Sequence, residues 1–246
     1  MNAAFKPALH AEWTKLRTSP GTWWLLLGTA AATIGLSALA AGAVSCRTVC
    51  TADLTKVSLT GVQLGQAVVA VLAALVVGHE YGTGMMRTTL AAIPGRTRLL
   101  AAKAAVLVAV SLAAAAAGVA GALLVARPLL PDHALVWRAA IGSVLYLVLV
   151  GLLSLGLAAA TRSAAAAAGI VLALLYAWPI VARVVTDRTW SRRLEQIGPM
   201  SAGTAVQATR DLATLPIAPW SGLGVLALWA LGSLLLGWLV LLRRDA

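Results

Sequence analysis

The amino-acid sequence predicts an all-α integral membrane protein with six transmembrane helices, and three features carry that reading. Apolar residues make up 61% of the 246, against roughly 45–50% in a soluble domain. Charged residues make up only 11% and mean hydropathy is +0.90, where a soluble domain carries roughly 25% charge. Six stretches without a single charge reach bilayer length: Trp23–Val44, Val57–Val77, Ala104–Val125, Ala139–Ala160, Ser163–Ala182 and Leu223–Leu242. They hold 127 residues, about half the chain, and all 27 charges fall outside them, as the cost of burying charge in hydrocarbon demands. A soluble globular fold, a disordered chain, collagen and a cysteine-built miniprotein are excluded by the same composition. The chain 1–246 is read as one transmembrane domain.

Residues 1–22 form an amphipathic N-terminal element. Phe5, Leu9, Trp13 and Leu16 recur at helical spacing while His10, Glu12, Lys15 and Arg17 take other faces, and Ser19-Pro20-Gly21 ends the run. An interfacial helix is expected, with a frayed basic tail as the alternative. The first span is too long for the roughly 7–15-residue core of a cleaved signal. Only Thr161 and Arg162 separate spans four and five. A continuous helix of about 44 residues would run about 66 Å, twice the hydrocarbon thickness, so a tight hairpin is predicted.

Two connecting segments carry pattern. In Gly78–Arg98, Met86, Leu90 and Ile93 share one helical face, closed by Pro94-Gly95 and flanked by arginines. Such a stripe suits docking into a partner's groove, and a solvated loop is the alternative. In Arg183–Gly222, Trp190, Leu194 and Ile197 precede Gly198-Pro199, and Val206–Leu215 precedes Pro216. Two short interfacial helices broken at Gly-Pro are expected there.

With the N-terminus inside, ten Lys and Arg residues fall on the cytoplasmic side and nine outside, five of them in Arg183–Gly222. The early loops dominate orientation, which predicts a multi-pass protein of the cytoplasmic (plasma) membrane with both termini cytoplasmic. The net charge of +11 then serves anionic lipid headgroups, and no nucleic-acid-reading motif accompanies it.

Catalytic chemistry is sparse. The spans contain Ser, Thr, Gln63, Gln66, Tyr146 and Tyr176 as their polar residues, with no acid and no His. Ser154 therefore has no intramembrane His to activate it and reads as a packing hydroxyl. His79-Glu80 lacks the second His of a zinc protease motif, so no metal site is expected. No G-x-x-x-x-G-K-[ST] occurs, so any ATP energy comes from another subunit. Cys46 and Cys50 stand four apart in the first outer loop, where a disulfide and two free thiols both remain open. Gln63 and Gln66, three apart, are candidates for a substrate path or for interhelical hydrogen bonds. Gly61 with Gly65, Gly118 with Gly121, and Ala164–Ala168 offer small faces for close helix approach.

The motifs Glu12-Trp13-Thr14-Lys15-Leu16-Arg17-Thr18 and Glu80-Tyr81-Gly82-Thr83-Gly84, with Arg87-Thr88-Thr89-Leu90, Pro94, Arg96 and Lys103, resemble the permease subunits of ABC-2 type transporters. The Ala, Arg and Trp content is similar to that of actinobacterial members. The resemblance implies that Glu12, Trp13, Lys15, Leu16 and Arg17 lie on a connecting helix. It also implies a coupling helix over Glu80–Arg98, seated on an ATP-binding cassette ATPase subunit, with the Thr161–Ser163 turn as a second contact. Glu80, Tyr81, Arg87, Leu90, Arg96, Arg98 and Arg162 are then the coupling residues, with Glu80, Arg87 and Arg98 pairing with each other or with the ATPase. It further implies short outer helices between spans five and six, and a second permease copy, identical or paralogous. ATP and Mg would be bound by the ATPase, and no cofactor is expected in this chain. Export of a hydrophobic or amphipathic compound (a drug, antibiotic, lipid or peptide) by alternating access follows. A membrane sensing module that recruits an ATPase without transport, and a secondary transporter, are the alternatives.

Overall fold

The computed structural model describes residues 5–44, 53–92, 95–130 and 137–243. Among them there is no strand, and six helices are long and apolar enough to cross a membrane. A short helix α1 (Phe5–Thr18) leads into α2 (Pro20–Ala43), where Pro20 takes a first-turn position whose missing N–H is no loss. The second span joins α3 (Leu54–Ser58) to α4 (Val62–Gly82). Then come α5 (Met85–Ala92), α6 (Arg96–Ala126) and α7 (Trp137–Thr161). The fifth span comprises α8 (Ala164–Leu172), a π-helical turn (Ala173–Ala177) and α9 (Trp178–Val184). After α10 (Arg188–Ile197) and α11 (Pro199–Thr204), α12 (Pro219–Arg243) makes the last crossing.

The helices outrun the charge-free stretches. The second span reaches Gly82 instead of Val77, and α6 begins at Arg96, eight residues before Ala104. A helix need not stop where hydrocarbon stops, and charges on its last turns are tolerated when paired. Glu80 and Lys103 therefore stand on helices, not in a loop.

Helix α7 is the axis of the bundle, packed by α4, α6, α8 and α12. Tyr146, Leu147, Val150 and Leu153 of α7 meet Val62 and Val69, Ala115 and Val119, and Leu226 from its neighbours. Its apolar window is 61% buried, whereas those of α2, α8–α9 and α12 are 22%, 17% and 28% buried. The outer three thus turn most of their surface outward. Where α2 crosses α4, a Cβ on Gly65 would lie 2.2 Å from Thr33 Oγ1, so the glycine face at Gly61 and Gly65 serves a contact within the chain.

Spans four and five form the expected hairpin. Arg162 takes a left-handed conformation (φ 57°), and the Ser163 side chain caps α8 by accepting from the Ala166 N–H. A Cβ on Gly78 would sit 2.4 Å from that of Ala164, which brings the start of α8 against α4. The π turn directly precedes Pro179, whose absent N–H and ring displace the regular ladder one turn back.

The break at Gly198-Pro199 occurs as expected, and α10 has no buried residue. The second helix expected over Val206–Leu215 does not form. Helix α11 and a 3-10 turn (Ala205–Gln207) precede it and lie inside the bundle, where Val206 is buried and Gln207 Nε2 donates to Ser143 Oγ at 3.1 Å. The backbone N–H groups of Thr209 and Arg210 are taken by the Asp53 carboxylate instead of a helical ladder.

Candidate functional site

Helix α1 presents Ala8, Glu12 and Leu16, one turn apart, to the bundle. Glu12 thus points inward beside Leu16, while Trp13 is 43% exposed and Arg17 is exposed. The reason is electrostatic. Lys103 of α6 donates to Glu12 Oε2 at 2.7 Å and to Glu80 Oε1 at 2.7 Å. Lys15 donates to Glu12 Oε1 at 3.0 Å, Glu80 Oε1 at 2.8 Å and Thr89 Oγ1 at 3.1 Å. Glu12 and Lys103 are each 2% exposed and Glu80 is 5% exposed.

Two acids and two ammonium groups thus close a formally neutral network across α1, α4 and α6, buried except at Lys15, whose side chain is 32% exposed, and tied to α5 through Thr89. Burial works to lower the Lys15 pKa, but hydrogen bonds and charge from Glu80 and Glu12 outweigh it and hold the ammonium above its ordinary value. Glu80 Oε2 is buried without a hydrogen-bond partner among the described residues. Glu80 bonds to Lys15 and Lys103, not to Arg87 or Arg98 as one expectation had it.

Lys103 belongs to the quoted motif but was given no role. Its signal was positional: it shares a helical face with Leu99, Leu100, Val106 and Leu107, all buried. A lone cation on such a face needs an acid opposite.

Helix α5 also turns its apolar side inward. Met86 is 2% exposed in the core and Leu90 packs against that cluster, which corrects the expectation that this stripe docks into a partner. The outward side carries Met85, Arg87 and Thr88, and Ile93 and Pro94 lie outside the described residues. Arg96 donates to the terminal carbonyls of Leu241 and Leu242, where a cation also meets the negative end of α12. Arg98 is exposed. Tyr81 is partly buried, with the Arg162 guanidinium 5.5 Å above its ring.

The glutamines hold the interior together. Gln66 is fully buried, accepting from the Tyr146 hydroxyl and donating to Met200 Sδ at 3.4 Å. These bonds join α4 to α7 and to α11. The Tyr176 hydroxyl donates to the Gln63 carbonyl. Cys46 and Cys50 lie outside the described residues. Among the described residues no group of three or more His, Cys, Asp or Glu is placed to hold a metal.

Above the ionic network a groove of about 490 Å³ opens between α1, α2 and α4, with Leu25, Leu72, Leu75 and Val76 on its walls. An N-terminal helix, a short helix after span two and a charge network joining them to the spans are thus in place. The family model for ABC-2 family transporter protein matches residues 8–179. The chain belongs to the ABC-2 transporter family. No curated protein matches it. The match runs from α1 through Pro179 and includes all four residues of the network. This ABC-2 protein is accordingly a multi-pass membrane permease, a transport component of a kind that works with an ATPase.

Proposed function

We propose that this chain is the permease subunit of an ATP-driven exporter for hydrophobic or amphipathic compounds. A separate ATPase, binding ATP and Mg, seats on the outward side of α5, with the Thr161–Ser163 turn as a second contact. Two permease copies face one another, and alternating access is driven by the higher affinity of the ATPase pair for ATP in its closed state. The end of the bundle carrying α1 and α5 is cytoplasmic in this reading.

The observation that supports it best is the buried network of Glu12, Lys15, Glu80 and Lys103. Force applied at α5 reaches α4 through the short Thr83-Gly84 link and reaches α1 and α6 through Thr89, Lys15 and Glu80. Discrete ion pairs of this kind transmit displacement because buried charges cannot part without a large penalty. The apolar outer faces of α2, α8–α9 and α12 suit a substrate that enters from lipid.

The test is reconstitution of the chain with the ATPase that co-purifies from its native membrane in mild detergent. Glu80→Gln is expected to lower ATP-dependent export by roughly tenfold or more, a loss equivalent to about 1.4 kcal/mol of coupling, while the complex still assembles. Transport at the wild-type rate would remove the network from the coupling path. If the chain purifies alone under conditions that preserve a known ABC complex, the ATPase-driven reading fails.

A further inference from the structure

The second end of the bundle holds a feature that transport coupling does not use. Helix α10 and the strand of chain at Thr214–Pro216 enclose a recess of about 680 Å³ lined by Arg188, Arg192 and Arg193, with Glu195 as its one carboxylate. Arg188 and Arg192 are one turn apart on the helix. Among the described residues no salt bridge joins any of the three arginines to an acid. The Gln196 amide donates to the Pro216 carbonyl at 2.7 Å and holds the far wall in place.

Three guanidinium groups against one carboxylate leave the recess strongly cationic, and like charges held together favour a multivalent counter-anion. Guanidinium groups present paired N–H donors that match phosphate oxygens. The Arg193 guanidinium lies 5.4 Å over the Trp190 ring, which restricts its freedom before any anion arrives. Trp190 and Ile197 on the same helix are 58% and 52% exposed, and Val184 just before it is 76% exposed. A basic recess on a helix that also carries exposed aromatic and aliphatic side chains is the arrangement of an element seated at the headgroup level of a bilayer.

We propose that this recess binds a phosphate-bearing polyanion, with the doubly phosphorylated headgroup of an anionic phospholipid as its source. Three arginines can engage two phosphates at once. The site is independent of the ATPase and of the coupling network.

The full chain, purified in neutral detergent, is examined by native mass spectrometry while diphosphatidylglycerol, phosphatidylcholine or inorganic pyrophosphate is titrated in. Diphosphatidylglycerol should be retained and phosphatidylcholine should not. The variant Arg188→Gln/Arg192→Gln/Arg193→Gln should weaken retention by about a hundredfold, given roughly a fivefold contribution from each cation near an anionic surface. The variant Arg17→Gln/Arg98→Gln/Arg243→Gln, changed equally in charge but at exposed positions near the other end, should retain the lipid. Pyrophosphate binding that is lost with the α10 variant, at an affinity equal to the lipid's, would support the anion site and assign it to a soluble ligand. Equal loss in both triple variants, or none in either, would overturn the proposal. Equal melting temperatures of the three proteins exclude misfolding as the cause.

Discussion

The two ends of this bundle are both fastened by acid groups, buried at one end and half-buried at the other, and by different chemistry. At the end carrying α1 and α5, Glu12 and Glu80 meet two ammonium groups, and the bonds run between side chains of three helices, with Thr89 of a fourth accepting from Lys15. At the other end, Asp53 accepts from the Thr209 hydroxyl at 2.6 Å and from the backbone N–H groups of Lys56, Thr209 and Arg210. One acid there fixes a loop to the start of the second span without a cation. The first arrangement links rigid helices through long side chains that can shift together. The second pins irregular backbone, whose N–H groups would otherwise go unsatisfied. The difference shows how one fold can join helices through side-chain ion pairs at one end and tie down irregular backbone through a carboxylate at the other.

The comparison breaks most sharply at Lys103. Lys103→Met leaves Glu12 and Glu80 buried and short of a cation, and a loss of about 3–5 kcal/mol is expected. A detergent-solubilised thermal melt measures it. Replacing the set, with Glu12→Gln and Glu80→Gln added to Lys103→Met, should recover much of that loss, because the penalty belongs to unpaired charge. A combined variant no more stable than Lys103→Met would show that packing, not charge, dominates there.

At the other end, Asp53→Ala removes the acceptor of three N–H groups and a hydroxyl. A destabilisation of about 1–3 kcal/mol is expected, with hydrogen exchange rising first at Thr209 and Arg210. Tyr146→Phe is the smaller test. It leaves the buried Gln66 carbonyl without its hydroxyl donor, at about 1–2 kcal/mol, and should leave both ends intact by the same exchange measurement.

The ends also part company with pH. Burial raises the Asp53 pKa, but its hydrogen bonds from Thr209, Lys56 and Arg210 prevail and hold it below the ordinary carboxylate value. Its contribution is therefore present above the unfolded pKa and is lost as pH falls through the folded one. Lys15 is shifted upward, so its contribution is full below the ordinary lysine pKa and is lost as pH rises through the folded value. Melting temperatures followed into acid should flatten in Asp53→Asn, and those followed above pH 10 should flatten in Lys15→Met. Parallel curves for wild type and either variant would contradict the corresponding assignment.

The spans were legible because hydrocarbon imposes one rule on every residue inside it, and charge-free runs of about 20 residues record that rule directly. The hairpin at Thr161–Ser163 followed from length alone. The site was legible as motifs but not as contacts. Glu80 and Lys103 were kept outside the spans because they are charged, yet each continues a helix, and their pairing joins positions 23 residues apart. The Glu12–Lys103 bond joins positions 91 apart. Neither spacing follows from helical periodicity. The inward turn of Glu12 on α1 had no sequence signal for the same reason: an interfacial amphipathic pattern does not say which polar residue meets the bundle, and Glu12 does so by finding Lys103. Arg96 entered only as a coupling residue implied by the resemblance, and its bonds to the end of α12 join positions 145 and 146 residues apart. Asp53 had no sequence signal, since its partners lie 156 and 157 residues away in a loop.

The neutrality of the α1 network has an electrical consequence. Two carboxylates and two ammonium groups that move together carry no net charge through the membrane field. A single elementary charge crossing it would cost about 2.3 kcal/mol per 100 mV. In the proposed cycle, Glu12, Lys15, Glu80 and Lys103 moving together would therefore add no voltage dependence of their own.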